Sequence, residues 1–181
     1  MSRISVVTNE AANPEQAALF KAITGKIGMV PNFLRILANS PVALEAFLGL
    51  HKIANEGVLD RQTRERIALT VAQENGCQYC VSAHTAIGRK AGLDHTEITA
   101  NRTGTSLDAR AAAAVSFAHG IVAHKGQVSA SELLALRNAG YGDAEIVEII
   151  THVGMNVLTN LIGTISQVEI DFPTVELKLA T

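Results

Sequence analysis

The chain has almost no net charge: 15 Lys and Arg face 17 Asp and Glu over 181 residues, a balance of −2. That gives no electrostatic case for a nucleic-acid partner or for an anionic membrane surface. The N-terminal stretch from Met1 to Glu10 lacks the apolar core of a secretion signal, so a cytoplasmic, reducing setting is expected. No glycine-rich phosphate loop follows a strand-like run, and no cofactor is expected. Convincing strand alternation is missing too, apart from short Val- and Ile-rich pieces at the termini, which leaves an all-α reading. Cysteine is scarce. Only Cys77 and Cys80 are present, with no second C-x-x-C or Cys/His pair to complete an ordinary four-ligand zinc site.

What the chain has is hydrophobic mass. Apolar residues make up 48% and charged residues 18%, enough to bury a sizeable core in a single domain spanning residues 1–181. The run from Ile149 to Val168 has no Lys, Arg, Asp or Glu and is long enough for a membrane span. It also carries His152, Asn156, Asn160, Ser166 and Gln167 around the wheel, which a hydrocarbon core would penalise. We therefore expect a helix buried in the domain or against another subunit, no membrane partner, and a homo-oligomer.

Local signals punctuate the helices. Asn13-Pro14 starts the first, which Gly25 and Gly28 close. Pro31 to about Asn39 forms a second. Ser40-Pro41 caps a third, with Leu44, Phe47, Leu48 and His51 on one face, stopping near Gly57. Asp60 caps the next, Asn75-Gly76 breaks the chain, and the helix after the cysteines ends at Ala91-Gly92. Gly104 to Ser106 reads as a linker, with Ser106 or Asp108 capping the helix beyond it.

The chemistry concentrates between Glu65 and His84. At 100° per residue, Arg66, Thr70 and Gln73 share one side of their helix, while Glu65 projects among Ala68, Leu69 and Ala72. A carboxylate in such a stripe needs a partner. Past the break, Cys77, Cys80 and His84 fall within roughly 60° of one another, with Gln78, Ser82, Thr85 and Arg89 facing away. A C-x-x-C at a helix start favours a thiolate, an imidazole one turn on can move its proton, and Glu65 can orient that imidazole. A zinc site would have to use Cys77, Cys80, His84 and Glu65, and two buried structural cysteines are the blandest reading. The joint spacing favours redox catalysis. His119, His124 and His152 read as hydrogen-bonded core or interface residues, and His51 and His95 as still less functional.

Glu65-x(11)-Cys77-x-x-Cys80-x(3)-His84 resembles the signature of the AhpD alkyl hydroperoxidases of the carboxymuconolactone decarboxylase superfamily. Met29-Val-Pro-Asn-Phe33, Asn39-Ser-Pro41, Asn75-Gly-Cys77 and Asp171-Phe-Pro173 resemble its peroxidase-related branch, so the likeness covers nearly the whole chain. It implies a thiol-dependent alkyl hydroperoxide or disulfide reductase in antioxidant defence. Cys80 would attack a hydroperoxide, Cys77 would resolve the sulfenic acid to a Cys77–Cys80 disulfide, and Glu65 and His84 would relay protons through a water. It also implies trimers or hexamers, and recycling by a lipoyl-protein, a thioredoxin-like reductant or transfer to a peroxiredoxin. One position departs: Tyr79 stands where the best-known AhpD enzymes carry a histidine. The alternatives are a lactone decarboxylase of the same superfamily, which does not use a C-x-x-C, and a non-enzymatic zinc or redox-sensing module.

The second half echoes the first. Arg89 to Ile98 parallels Arg137 to Ile146, and Ile53 to Gly57 parallels Val122 to Gly126. Sliding one half on the other sets Ile67 on Ile146, Val71 on Ile150 and Cys77 on Asn156. The reading is two related helical halves: about 14–100 with the redox motif, and about 107–170 as a degenerate, cysteine-free repeat. The resemblance implies the same two-half plan.

Overall fold

The computed structural model describes residues 2–179, and among them there are nine α-helices and no strand. Capping sets most helix starts. For α1 (Pro14–Ile27), Asn13 accepts the Gln16 N–H, Gln16 returns a bond to Asn13, and Pro14 holds the first helical position. Gly28 ends α1 at φ +82°, a left-handed conformation that glycine adopts freely. Gly25, expected as a second stop, lies inside the helix.

The next two helices are shorter than their sequence limits. Helix α2 covers Asn32–Leu37, and α3 runs Pro41–Ala54 behind the Ser40 cap, ending before Gly57. Side chains of Asp60, Asp94, Asp108 and Ser129 then cap α4 (Arg61–Glu74), α6 (His95–Arg102), α7 (Ala109–Ala123) and α8 (Ala130–Asn138). Helix α5 (Gln78–Lys90) begins at Cys77, and α9 (Asp143–Ser166) is the longest.

Helix α4 is the hub, packing against α5, α6, α7 and α9. Ile67 and Val71 enter a core with Leu59, Phe117, Leu136, Tyr141 and Ile149. The side carrying Arg66 and Thr70 is not a solvated face: both residues are buried, and Thr70 donates to the Asn101 carbonyl of α6. A polar seam between two helices has the same periodicity as a wet surface, so spacing alone does not separate them.

The uncharged segment is the core helix α9. By length and composition it could cross a membrane, yet its polar His152, Asn156, Asn160 and Ser166 are buried against other helices. His152 donates to the Ala54 carbonyl at 3.1 Å. Another face of α9 stays apolar and exposed along Val147, Ile150, Leu158, Leu161 and Ile165. The terminal pieces that hinted at strands are irregular. After α9, Val168, Ile170, Phe172, Val175 and Leu177 lie across the cysteine helix.

Candidate active site

The local break builds the site. Helix α4 stops at Glu74, Gly76 turns with φ +64°, and Cys77 takes the N-cap of α5. Cys77 therefore lies just outside the helical wheel on which its spacing had placed it, with φ −88° and ψ 92°. Its Sγ accepts the Cys80 N–H at 3.2 Å, so one otherwise orphaned helix donor points at sulfur. The two sulfurs are paired as a disulfide with Cα atoms 5.3 Å apart. Both cysteines are buried, among Ile36, Ala72, Tyr79, Val81, Ala83 and Val168.

Glu65 and His84 meet across the α4–α5 interface, next to Gly88 of α5, whose open side faces the Glu65 side chain. His84 Nδ1 donates to Glu65 Oε2 at 2.9 Å. That bond assigns the proton to Nδ1 and leaves Nε2 as the basic nitrogen. The side chains keep 21% and 15% of their surface exposed, enough for water to reach them. Neither neighbouring arginine serves Glu65: Arg64 donates to the Leu59 carbonyl, and Arg66 to Glu97 at 2.6 Å.

The Arg66–Glu97 pair is buried and fully engaged. Glu97 also accepts from Ser106, Asn101 and the Leu107 N–H. Burial alone would raise its carboxyl, but these hydrogen bonds outweigh it and hold the group at about 2. Sequence spacing does not join residues 66 and 97. Arg66 shares its side of α4 with Thr70 and Gln73, so its helical phase gave no sign of burial.

One further expectation changes. Ser82 and Thr85 do not face away: both are buried, and Ser82 accepts the Val175 N–H of the C-terminal segment. Tyr79 occupies the position where the resemblance has a histidine. Its hydroxyl donates to Asp171 at 2.6 Å, and Asp171 also accepts the Asn32 N–H, so Tyr79 ties the C-terminal segment and α2 to the cysteine helix. Burial, then that carboxylate, pushes the phenol well above its usual value. His51, set aside in the sequence, lies within electrostatic reach of the Glu65–His84 pair. Desolvation, then the field of His84, lowers its imidazole, with Glu65 pulling the other way. Its ring packs on Phe47, 5.8 Å between centroids. The signal was its place on the apolar face of α3. Among the described residues, no group of three or more His, Cys, Asp and Glu side chains is arranged to hold a metal ion.

An all-α domain built around α4, with a C-x-x-C at a helix start and a Glu–His pair across one interface, narrows the class. The sequence model of the carboxymuconolactone decarboxylase family matches residues 41–123, which spans α3 through α7. An alkyl hydroperoxide reductase AhpD of Maricaulis maris (strain MCS10) is 35% identical over 95 residues, 52% of this chain and 53% of that protein. The chain thus spans about half the length of this curated relative. An uncharacterized peroxidase-related protein from Silicibacter sp. TM1040 superposes with a TM-score of 0.79 at 27% identity, covering 93% of this chain and 94% of the other. The fold is also that of the alkylhydroperoxidase AhpD core protein from Ralstonia eutropha JMP134, with a TM-score of 0.84, 24% identity and coverage of 94% and 92%. The fold of this chain is thus AhpD-like, and its α3–α7 region is similar in sequence to the carboxymuconolactone decarboxylase family.

Proposed function

We propose that the chain is a thiol-dependent hydroperoxide or disulfide reductase whose electrons pass through Cys77 and Cys80. The observation that carries this is the juxtaposition of the paired cysteines at the α5 start with the 2.9 Å His84–Glu65 bond. The Cys80 thiolate attacks the terminal oxygen of a hydroperoxide. The O–O bond breaks, Cys80 becomes a sulfenic acid, and a proton relayed from His84 completes the alcohol. The Cys77 thiolate then attacks Cys80 sulfur, the S–O bond breaks, and a second proton releases water. An external dithiol returns the pair to thiols. A lipoyl-protein or thioredoxin-like protein in the cytosol suits that role, and a peroxiredoxin suits the reverse one, as recipient of electrons.

Peroxide-dependent loss of both free thiols, with the Cys77–Cys80 disulfide mapped by mass, tests the reading. Cys80→Ser should be inert toward peroxide, because Cys80 is the cysteine spaced one turn before His84. Cys77→Ser should react once, and dimedone should capture the sulfenic acid at Cys80. Capture at Cys77 in Cys80→Ser would swap the roles. Turnover of γ-carboxymuconolactone by the doubly substituted protein would instead support a lactone decarboxylase.

We also infer a homo-oligomer, a trimer or a hexamer, closed over the exposed apolar face of α9 and the exposed Leu50 and Ile53 of α3. Leu161→Glu should lower the mass seen by light scattering; a monomeric parent protein would refute the inference.

A further inference from the structure

Helix α9 carries no cysteine, but it forms one wall of the redox pair. A Cβ at Gly163 would lie 2.9 Å from Cys77 Sγ and 3.5 Å from Cys80 Sγ, so the backbone of α9 rests against both sulfurs. Glycine inside a helix is disfavoured relative to alanine, and here close approach explains its use. One turn earlier, on the same side of α9, Asn160 is almost completely buried, with 1% of its surface exposed. Its Oδ1 accepts from Asn75 Nδ2 at 2.9 Å, which pins the amide beside the Asn75-Gly76-Cys77 turn. The remaining group, Nδ2, is buried without a hydrogen-bond partner among the described residues. Buried donors without partners are rare, because desolvation is uncompensated. A disulfide sulfur is a poor acceptor and a thiolate a strong one.

We propose that α9 receives Cys77 as it leaves the disulfide: Gly163 keeps the space beside its sulfur clear, and Asn160 donates a hydrogen bond that holds it as a thiolate. This rests on the thiol-reductase reading above. In the reductive step an external thiolate attacks Cys80, the more exposed of the two cysteines. A mixed disulfide forms at Cys80, and Cys77 departs with the electron pair of the broken S–S bond. The Cys80 N–H already serves Cys77 Sγ from one side. Asn160 serves it from α9. Ile36, Ala72, Val81, Ala83 and Val168, from α2, α4, α5 and the C-terminal segment, add apolar packing around the pair. Of the ionisable groups on α5, Tyr79 donates to Asp171, and His84 is bonded to Glu65 through Nδ1 and serves Cys80 in the reading above.

The test titrates the Cys77 thiol in a Cys80→Ser background, from the pH dependence of iodoacetamide alkylation. Asn160→Asp keeps the acceptor for Asn75 and removes the donor, whereas Asn160→Leu removes both. Both should raise the Cys77 pKa by about one unit, roughly tenfold less thiolate below the pKa. A thiol titration unmoved by Asn160→Asp, with or without a lower melting temperature for Asn160→Leu, would overturn the assignment and leave Asn160 a structural link to Asn75. The carboxylate introduced by Asn160→Asp itself disfavours a neighbouring thiolate, so the uncharged Asn160→Leu must show the same shift. If Asn160→Leu does not fold, Asn160→Ala takes its place, and an unmoved titration in the uncharged variant overturns the assignment. A titration needs no peroxide, so failure here and failure of peroxide-dependent thiol loss are separate results.

Discussion

Residues 65 and 66 of α4 each meet a hydrogen-bonding partner across a helix interface, and the two meetings differ in kind. Arg66–Glu97 is closed: side-chain exposures are 10% and 7%, and Glu97 collects four hydrogen-bond donors. Glu65–His84 is open: exposures are 15% and 21%, and the one side-chain partner of Glu65 is the imidazole. A carboxylate saturated with donors holds helices together. One bound to a single imidazole, within reach of water and beside two cysteines, can share in proton movement.

Glu65→Gln should break the open pair with the largest effect. The amide keeps the shape and loses the charge that orients and polarises His84, so peroxide-dependent thiol loss should slow by about 10²–10⁴-fold at nearly unchanged melting temperature. Full activity in Glu65→Gln alongside an inactive His84→Ala would reassign Glu65 to a structural role.

Glu97→Gln should do the opposite. Removing one partner of a buried ion pair leaves the other uncompensated, a loss of about 3 kcal/mol in denaturant unfolding. The thiol reaction per folded molecule should stay near that of the parent protein.

The same comparison has a pH signature. The Glu97 carboxyl sits at about 2 in the fold, below the ordinary 4.5. A depressed carboxylate stabilises the fold above the unfolded value and loses that contribution as pH falls through the folded one. The stability gap between the parent protein and Glu97→Gln should therefore hold above pH 4.5 and shrink toward pH 2 in urea unfolding curves. A gap independent of pH would mean that the loss is packing rather than charge.

Tyr79→Phe sharpens the contrast from outside α4. It should cost about 1–2 kcal/mol, because Asp171 loses a short hydrogen bond. The rate of peroxide-dependent thiol loss should change little, since Tyr79 serves the C-terminal segment. A large rate defect at unchanged stability would return Tyr79 to the proton pathway.

The two halves of the chain show the same division between local and distant causes. The correspondence that sets Cys77 on Asn156 aligns the α4–α5 region with α9, yet α4 breaks at Asn75-Gly76 while α9 continues from Asp143 to Ser166. The break creates the helix start that Cys77 caps. The uninterrupted helix brings Gly163 and Asn160 up against that start.

Caps, stops and the Cys77, Cys80 and His84 spacing were legible in the sequence because their causes lie within about four residues, the reach of a capping bond or a helical turn. Asn13, Ser40, Asp60 and Asp108 start helices where their own neighbours direct, Cys77, Cys80 and His84 were picked out by spacing, and Glu65 by its place in an apolar stripe. Partners were a different matter. Arg66 finds Glu97 31 residues on, Tyr79 finds Asp171 92 residues on, and Asn75 finds Asn160 85 residues on. Helical periodicity says that a residue lies on a given side of its helix, but not whether that side meets water, another helix or a returning chain end. Only packing around α4 decided that, and it turned an apparently polar face into a seam, an uncharged helix into a wall beside the cysteine pair, and Tyr79 into a clasp on the C-terminal segment.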